Sequence, residues 1–210
     1  MNISHLRQEY TKFELDISTV NTDPFEQFKK WFDEASASDI LEPNAMCLST
    51  VSENQRPSSR IVLLKTISNS GFVFFTNYSS KKGNELEVNP NGSLLFFWKE
   101  LERQVRIEGK IQKISEQESI DYFDSRPIGN RIGAIVSPQS QRIIDRKNLD
   151  DQIQALLEKP QSIHKPSHWG GYVLIPDYFE FWQGRQSRLH DRIVYDKINK
   201  SNWEIYRVAP

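Results

Sequence analysis

Short runs of β-branched and aromatic residues, each bounded by turn-forming residues, dominate the middle of the chain. The first five runs cover 46–51, 60–67, 71–76, 93–98 and 103–114. Four more follow after a polar segment, at 170–175, 178–183, 188–196 and 203–208. Strands this close in sequence usually pair with antiparallel neighbours. The pattern therefore predicts a mostly antiparallel barrel or sandwich.

Helical patterns flank these strands. Asp23 is in an N-cap position, and the apolar residues after it repeat every 3.6 residues, which predicts a helix from about 24 to 37. Ser115 stands three residues before Glu118, a capping-box pattern that predicts a second helix. A charged segment predicts a further helix over 146–159.

The order of these elements indicates one main domain. At 210 residues the chain can bury one good core, and no repeat, low-complexity tract or Gly/Ser linker interrupts it. We expect a single α+β domain over residues 21–210, built on a mostly antiparallel barrel with flanking helices. Residues 1–20 show no sustained period, and we expect them to form an arm whose order depends on what it contacts.

Composition excludes several classes of function. A net charge of -1 argues against a nucleic-acid-binding protein. The single cysteine, Cys47, excludes disulfides within the chain and thiolate metal sites, and no metal-ligand spacing or hydrolase triad is evident. The first residues lack an apolar signal segment, and no stretch is long enough to span a bilayer. We expect a cytoplasmic protein without a metal, in which a local basic cluster must meet any bound anion.

Two basic patterns indicate anion binding. Arg60 and Lys65 frame an apolar run, and in a strand they would stand roughly 16 Å apart, which suits two phosphates rather than one. The alternative is that both side chains reach solvent from the ends of a buried strand. Lys81 and Lys82 begin a short predicted helix, where cations oppose the helix dipole unless an anion is bound. A solvated basic turn is the alternative there.

The densest functional group lies near the C-terminus. If this segment is a strand, Arg188, His190 and Arg192 alternate onto one face, where three potential cations need an anionic or electron-rich partner. A polar edge strand is the alternative. Tyr122 and Arg126 stand four residues apart at the end of the second helix and could bind one anion together. The alternative is an arginine that only compensates the helix dipole.

The segment from Phe179 to Arg192 resembles the signature of pyridoxamine 5'-phosphate oxidases, and the resemblance extends over nearly the whole chain. The other matching segments are 6–10, 60–65, 75–77, 101–105, 122–127, 136–140 and 207–210. The resemblance implies an FMN-binding split β-barrel that works as a homodimer, with FMN in clefts at the subunit interface.

The resemblance also implies a set of site residues. For FMN these are Arg60, Ile61, Val62, Leu63, Leu64, Lys65, Phe75, Thr76, Lys81, Lys82, Gln104, Gln139, Ser140, Trp182 and Arg192. For the substrate they are Arg7, Tyr10, Lys65, Tyr122, Arg126, Asn130, Arg188 and His190, of which the last two are the catalytic pair that holds the pyridine ring. Arg7 and Tyr10 lie in the arm, which would close over the site. The chain departs from the usual family pattern at Gln8, Asn130, Arg131 and Ile135.

The implied reaction is the oxidation of pyridoxine or pyridoxamine 5'-phosphate by dioxygen, which gives pyridoxal 5'-phosphate and hydrogen peroxide. Two other functions stay open: a split-barrel flavin reductase with another substrate, and a non-catalytic carrier of FMN or pyridoxal phosphate. The matches at Tyr122, Arg126, Arg188 and His190 weigh against the reductase.

Overall fold

The computed structural model describes residues 1–6, 9–68, 70–199 and 202–210 of the chain. Within these residues, nine strands form one sheet, and five α-helices accompany it. The strands are β1 (Ala45–Val51), β2 (Pro57–Leu63), β3 (Thr66–Ser68), β4 (Gly71–Asn77), β5 (Asn91–Trp98), β6 (Arg103–Lys113), β7 (Trp169–Gln183), β8 (Asp191–Lys197) and β9 (Trp203–Arg207). The helices are α1 (Pro24–Ser36), α2 (Lys81–Val88), α3 (Glu116–Ser125), α4 (Ile128–Val136) and α5 (Arg146–Leu157).

The sheet follows the order β2-β1-β5-β6-β7-β4-β3, with β8 and β9 added beside β7. All of its pairings are antiparallel. β7 is central: its first half pairs with β4, its second half pairs with β8, and β6 runs along both. The sheet curls into a half barrel, so the predicted α+β architecture with a mostly antiparallel barrel is confirmed.

An aromatic core holds α1 on the sheet. The helix begins where the Asp23 side chain accepts a hydrogen bond from the Phe25 backbone N–H, as its N-cap pattern predicts. Its apolar face then buries Phe28 completely, with the ring 4.9 Å from that of Phe72 and 5.0 Å from that of Phe96. Such edge-to-face pairs add roughly 0.5–1.5 kcal/mol each beyond the apolar area that they bury.

Two predicted strand boundaries are wrong. The run 60–67 divides after Leu63, because β2 pairs with β1 whereas β3 pairs with β4. At this change of partner, the Lys65 N–H bonds to the Val73 carbonyl, so Lys65 lies beyond the strand that carries Arg60. The runs 170–175 and 178–183 are instead one strand, β7, in which Asp177 is an extra residue where the pairing with β6 shifts between Glu108 and Gly109. Pro176, which has no backbone N–H, lies beside this bulge.

The strand predicted over 188–196 is also wrong at its beginning. β7 ends at Gln183, whose register partner is Asp191, the first residue of β8. The connection therefore uses all of residues 184–190, and within it Ser187 and Arg188 have left-handed φ angles of 54° and 61°. Arg188, His190 and Arg192 consequently do not alternate along one strand face, because only Arg192 belongs to the strand.

Alanine substitutions at two helical glycines should have opposite effects on stability. A Cβ at Gly83 in α2 would lie 1.9 Å from the Tyr78 carbonyl oxygen, whereas a Cβ at Gly129 in α4 would meet nothing within 4 Å. We expect Gly83→Ala to lower the free energy of unfolding by about 1–3 kcal/mol through overpacking. Gly129→Ala should raise it by about 0.5–1 kcal/mol through helix propensity. Thermal unfolding measures both, and two equally stable variants would contradict this packing of α2.

Candidate active site and cofactor cleft

A cleft of about 830 Å³ opens between β2, β4, the start of α2 and the α3–α4 region. Its volume is in the range typical of small-molecule sites. The predicted site residues that line it are Arg60, Ile61, Val62, Leu63, Lys65, Phe75, Thr76, Lys81, Lys82, Tyr122, Arg126, Asn130, Gln139 and Ser140. Leu64 is not among the lining residues, because its side chain is buried in the main hydrophobic core.

Lys82 is a buried cation surrounded by neutral oxygen atoms. Its Nζ donates to Thr76 Oγ1 at 3.1 Å, Ser80 Oγ at 3.3 Å and Gln139 Oε1 at 3.2 Å. Burial first, and then the positive charge of Arg60, lowers the pKa of Lys82 to about 8, against the opposing effect of the Glu85 carboxylate. An anion bound here would stabilise the charged form of this ammonium group.

A single carboxylate holds Arg60 at the edge of the same cleft. Arg60 donates to Glu85 Oε2 at 3.2 Å, and Glu85 also accepts hydrogen bonds from Thr50 and Ser58. Burial alone would raise the pKa of Glu85, but these hydrogen bonds and the charge of Arg60 lower it, so the carboxylate stays ionised. One carboxylate does not neutralise Arg60 together with two lysines, and the start of α2 therefore keeps an excess of positive charge.

A second cationic point lies at the α3–α4 end of the cleft. The Tyr122 ring stacks on Phe75 with centroids 3.8 Å apart, and the Arg126 guanidinium lies 4.7 Å from the centre of the Trp169 ring. Arg126 Nη1 is buried without a hydrogen-bond partner, and burial lowers the pKa of Arg126. This unsatisfied donor, beside the amide of Asn130, is suited to an anionic group of a ligand.

A further set of predicted residues lies outside this cleft, on a row across the sheet. Gln104, Trp182 and Arg192 are register partners on β6, β7 and β8, so their side chains share one face. Glu180 accepts two hydrogen bonds from Arg192, at 3.0 and 2.9 Å, and fixes the direction of the guanidinium.

His190 packs beside this row. Its ring centre lies 4.6 Å from that of Trp182 and 5.8 Å from that of Tyr10. The Arg185 backbone N–H donates to His190 Nδ1 at 3.1 Å, so the proton of the neutral ring is on Nε2. Burial, and then the charge of Arg188, lowers the pKa of His190. The ring is therefore a neutral hydrogen-bond donor at neutral pH.

The sequence also carries predictions about the start of the arm, metal ions and membrane spans. Arg7 and Gln8 lie outside the described residues. In the described ranges, no three His, Cys, Asp or Glu side chains come together in a way that could hold a metal ion. No helix in those ranges is both long and apolar enough to cross a membrane.

Two family models together cover most of the chain. The model described as pyridoxamine 5'-phosphate oxidase matches residues 32–160, and the model described as pyridoxine 5'-phosphate oxidase C-terminal dimerisation region matches residues 169–210. The chain is 52% identical to a pyridoxine/pyridoxamine 5'-phosphate oxidase of Leptospira interrogans, over 99% of this chain and 98% of that protein. It is 51% identical to one from Trichormus variabilis, with the same coverage. The chain belongs to the pyridoxamine 5'-phosphate oxidase family.

Two solved structures share the fold of this chain. PhzG from Burkholderia lata 383, in complex with tetrahydrophenazine-1-carboxylic acid, is 27% identical with a TM-score of 0.89, over 97% of this chain and all of that chain. An FMN-binding protein related to the family, from Nostoc punctiforme, shares the fold at 16% identity with a TM-score of 0.72, over 91% of this chain and all of that chain.

FMN is the cofactor of this oxidase family, as the resemblance implied. The cleft fits its phosphate, because Arg60, Lys81 and Lys82 bring more positive charge to the start of α2 than the Glu85 carboxylate balances. Sequence reasoning missed two residues of this region, Glu85 and Trp169. In the sequence Glu85 looks like an ordinary helix surface residue, and the long-range contacts of Trp169 have no local signal. For Glu85, the one available signal was its position four residues after Lys81, at the spacing of a helical ion pair.

The buried charge of Lys82 predicts that this residue strengthens the binding of FMN through its phosphate. We expect Lys82→Met to raise the dissociation constant of FMN by about 10- to 100-fold, since a charge-assisted hydrogen bond to phosphate is lost. The dissociation constant of riboflavin, which has no phosphate, should change little. Flavin fluorescence quenching measures both ligands, and equal losses for the two would contradict a phosphate role.

The same assignment gives a pH dependence in the unchanged protein. In the free cleft, Lys82 loses its proton as the pH rises through about 8, whereas a bound phosphate favours the protonated form. FMN binding above that pH must therefore take up a proton, and affinity should fall by up to about tenfold per pH unit. Between about pH 7 and that pH the affinity should be flat, because the FMN phosphate stays doubly ionised there, and riboflavin is the control.

Proposed function

We propose that this chain is an FMN-dependent oxidase that converts pyridoxine or pyridoxamine 5'-phosphate and dioxygen to pyridoxal 5'-phosphate and hydrogen peroxide. The observation that carries the proposal is the presence of two separate cationic points in one cleft, Lys82 with Arg60 at one end and Arg126 at the other. Cofactor and substrate each bring one phosphate. The names of the relatives that match over the full chain support the same substrates.

In this proposal the two phosphates bind at different ends of the cleft. The FMN phosphate takes the point formed by Arg60, Lys81 and Lys82, where the N-terminus of α2 adds free N–H groups. The substrate phosphate takes the free Nη1 of Arg126, together with the Tyr122 hydroxyl; Lys65 and the Asn130 amide are also assigned to it.

When bound, FMN supplies the two-electron oxidation at C4' of the substrate and the transfer of those electrons to dioxygen. The side chains of the protein supply alignment. Arg126 holds the phosphate end of the substrate, while Arg188 and His190 hold the pyridine ring. Because His190 carries its proton on Nε2, it donates a hydrogen bond to an acceptor on the ring and does not act as a base. Fixing both ends of the substrate aligns C4' for the reaction.

We further propose a homodimer in which each chain completes the cleft of its partner. Trp169, which lines the cleft, and Trp182, in the row with Arg192, stand thirteen residues apart on β7, roughly 40 Å along the strand. This separation supports a site in which the row comes from the partner chain. The exposed side chains of Phe97 (51%) and Ile61 (66%) leave apolar surface for a partner. The matched dimerisation region, residues 169–210, supports the same assembly.

The similarity to PhzG favours one other function. Its bound ligand is a tricyclic carboxylic acid, and a carboxylate could also bind at Arg126. The second candidate is therefore an FMN-dependent oxidase of a reduced tricyclic carboxylic acid.

Oxygen uptake by the FMN-loaded protein tests these functions. Pyridoxine 5'-phosphate should drive uptake with one hydrogen peroxide formed per substrate, and unphosphorylated pyridoxine should be much weaker. Arg126→Ala should raise KM for pyridoxine 5'-phosphate by about 10- to 100-fold, because a charge-assisted phosphate contact is removed. Uptake with only tetrahydrophenazine-1-carboxylic acid would favour the second candidate. No uptake with any of these substrates would favour the carrier or the reductase.

Mixed dimers test whether the site is shared between chains. Arg126→Ala and Arg188→Ala change opposite sides of the proposed substrate site. A heterodimer with one change per chain has one site with both changes and one site with neither, so it should recover about half of wild-type kcat/KM. Co-expression with two different tags isolates this heterodimer, and the two homodimeric variants are the controls. A heterodimer no more active than those controls would place both residues in the site of one chain.

A further inference from the structure

The arm is attached to the barrel by backbone hydrogen bonds to two carboxylates. The N–H groups of Thr11 and Lys12 both donate to Glu102 Oε2, at 2.9 and 3.0 Å. Further along, the N–H of Leu15 donates to Asp191 Oδ2 at 3.0 Å, and the Leu15 side chain is buried. The described part of the arm therefore has defined anchor points rather than general surface contact.

Glu102 connects the arm with the turn that follows β7. Its side chain is buried and holds the arm, while its backbone carbonyl accepts hydrogen bonds from the Gly184 N–H at 2.8 Å and Gln183 Nε2 at 3.1 Å. Its backbone is left-handed, with φ 55° and ψ 39°, a conformation that disfavours glutamate. Glycine would suit this backbone conformation better than glutamate, so the presence of Glu102 favours a role for its carboxylate.

Tyr10 lies between the two segments that Glu102 holds. It precedes Thr11, and its ring centre is 5.7 Å from that of Trp182 and 5.8 Å from that of His190. A Cβ at Gly184 would lie 2.6 Å from Tyr10 Cγ, so the aromatic side chain packs directly on the Gly184 backbone. Glu102 therefore contacts both segments that hold Tyr10 beside His190, the arm through Thr11 and Lys12 and the turn through Gly184.

We propose that Glu102 is a positioning residue of the oxidase. Its carboxylate fixes the arm so that Tyr10 forms one wall of the substrate site beside His190. The inference rests on the proposed function, because it takes the His190 side as the place where the substrate ring binds. A carboxylate suits this role, since a charged acceptor binds two backbone N–H groups more strongly than a neutral one.

Hydrogen exchange in the FMN-loaded protein tests the contact directly. Glu102→Gly removes the carboxylate and relieves the left-handed backbone, so loss of the contact is separated from added strain. We expect the amides of Thr11 and Lys12 to exchange at least about tenfold faster in this variant. Glu102→Gln keeps an accepting oxygen but loses the charge, so its exchange rates should lie between those of wild type and Glu102→Gly. Glu100→Gln removes a neighbouring charge from the same turn and should have no effect.

Kinetics test the role of the contact. Glu102→Gly should raise KM for pyridoxine 5'-phosphate by at least about tenfold, because two charge-assisted hydrogen bonds that hold the arm are lost, with kcat and FMN affinity unchanged. In a Tyr10→Ala background the same substitution should have no further effect on KM, because Glu102 acts through Tyr10. Unchanged exchange at Thr11 and Lys12, an unchanged KM, or an undiminished KM effect without Tyr10 would each overturn the proposal.

If the wild-type protein does not oxidise pyridoxine 5'-phosphate, the proposed function fails. The exchange rates at Thr11 and Lys12 do not depend on that activity, and they still decide whether Glu102 anchors the arm. The two failures are therefore distinguishable.

Discussion

The continuous pairing of β7 determines where the functional side chains lie. Its N-terminal end places Trp169 in the cleft, and its C-terminal end sets Trp182 in register with Gln104 and Arg192. Because side chains alternate along a strand, a register slip of one residue would turn this row to the opposite face. Between Glu108 and Gly109 the pairing of β6 with β7 shifts by one residue, and Gly109 allows the strands to approach there, since a Cβ would lie 2.1 Å from the Ile175 carbonyl oxygen.

The local charge in the cleft is positive, whereas the net charge of the whole chain is slightly negative. The protein carries a net charge of -1, yet Arg60, Lys81 and Lys82 converge on the start of one short helix with Glu85 as their shared carboxylate. The free protein bears the cost of a buried ammonium group whose pKa falls to about 8. A binding site commonly trades stability for function in this way, and a bound anion offsets the cost.

Local signals in the sequence predicted local structure well. The N-cap of α1 at Asp23 and the capping box of Ser115 with Glu118 both form, because each depends only on neighbouring residues. α4 was not predicted, since its N-cap residue, Pro127, offers no side-chain cap. Residues 188–190 were predicted to begin a strand but belong to the connection over 184–190, because its length depends on the register between β7 and β8. The separation of the candidate site into a cleft and a row depends on strand order, which no local pattern encodes.

In the proposed homodimer the arm and the cleft that it covers belong to different chains. Glu102 stands two residues before Gln104 and anchors Tyr10 beside Trp182, so the arm lies on the same side of the site as the row on β6, β7 and β8. The cations assigned to the phosphates lie in the cleft of the partner. Each chain then contributes what the other lacks: one holds the phosphates, and the other presses an aromatic wall against the substrate ring. Substrate binding and dimer formation are consequently coupled by geometry.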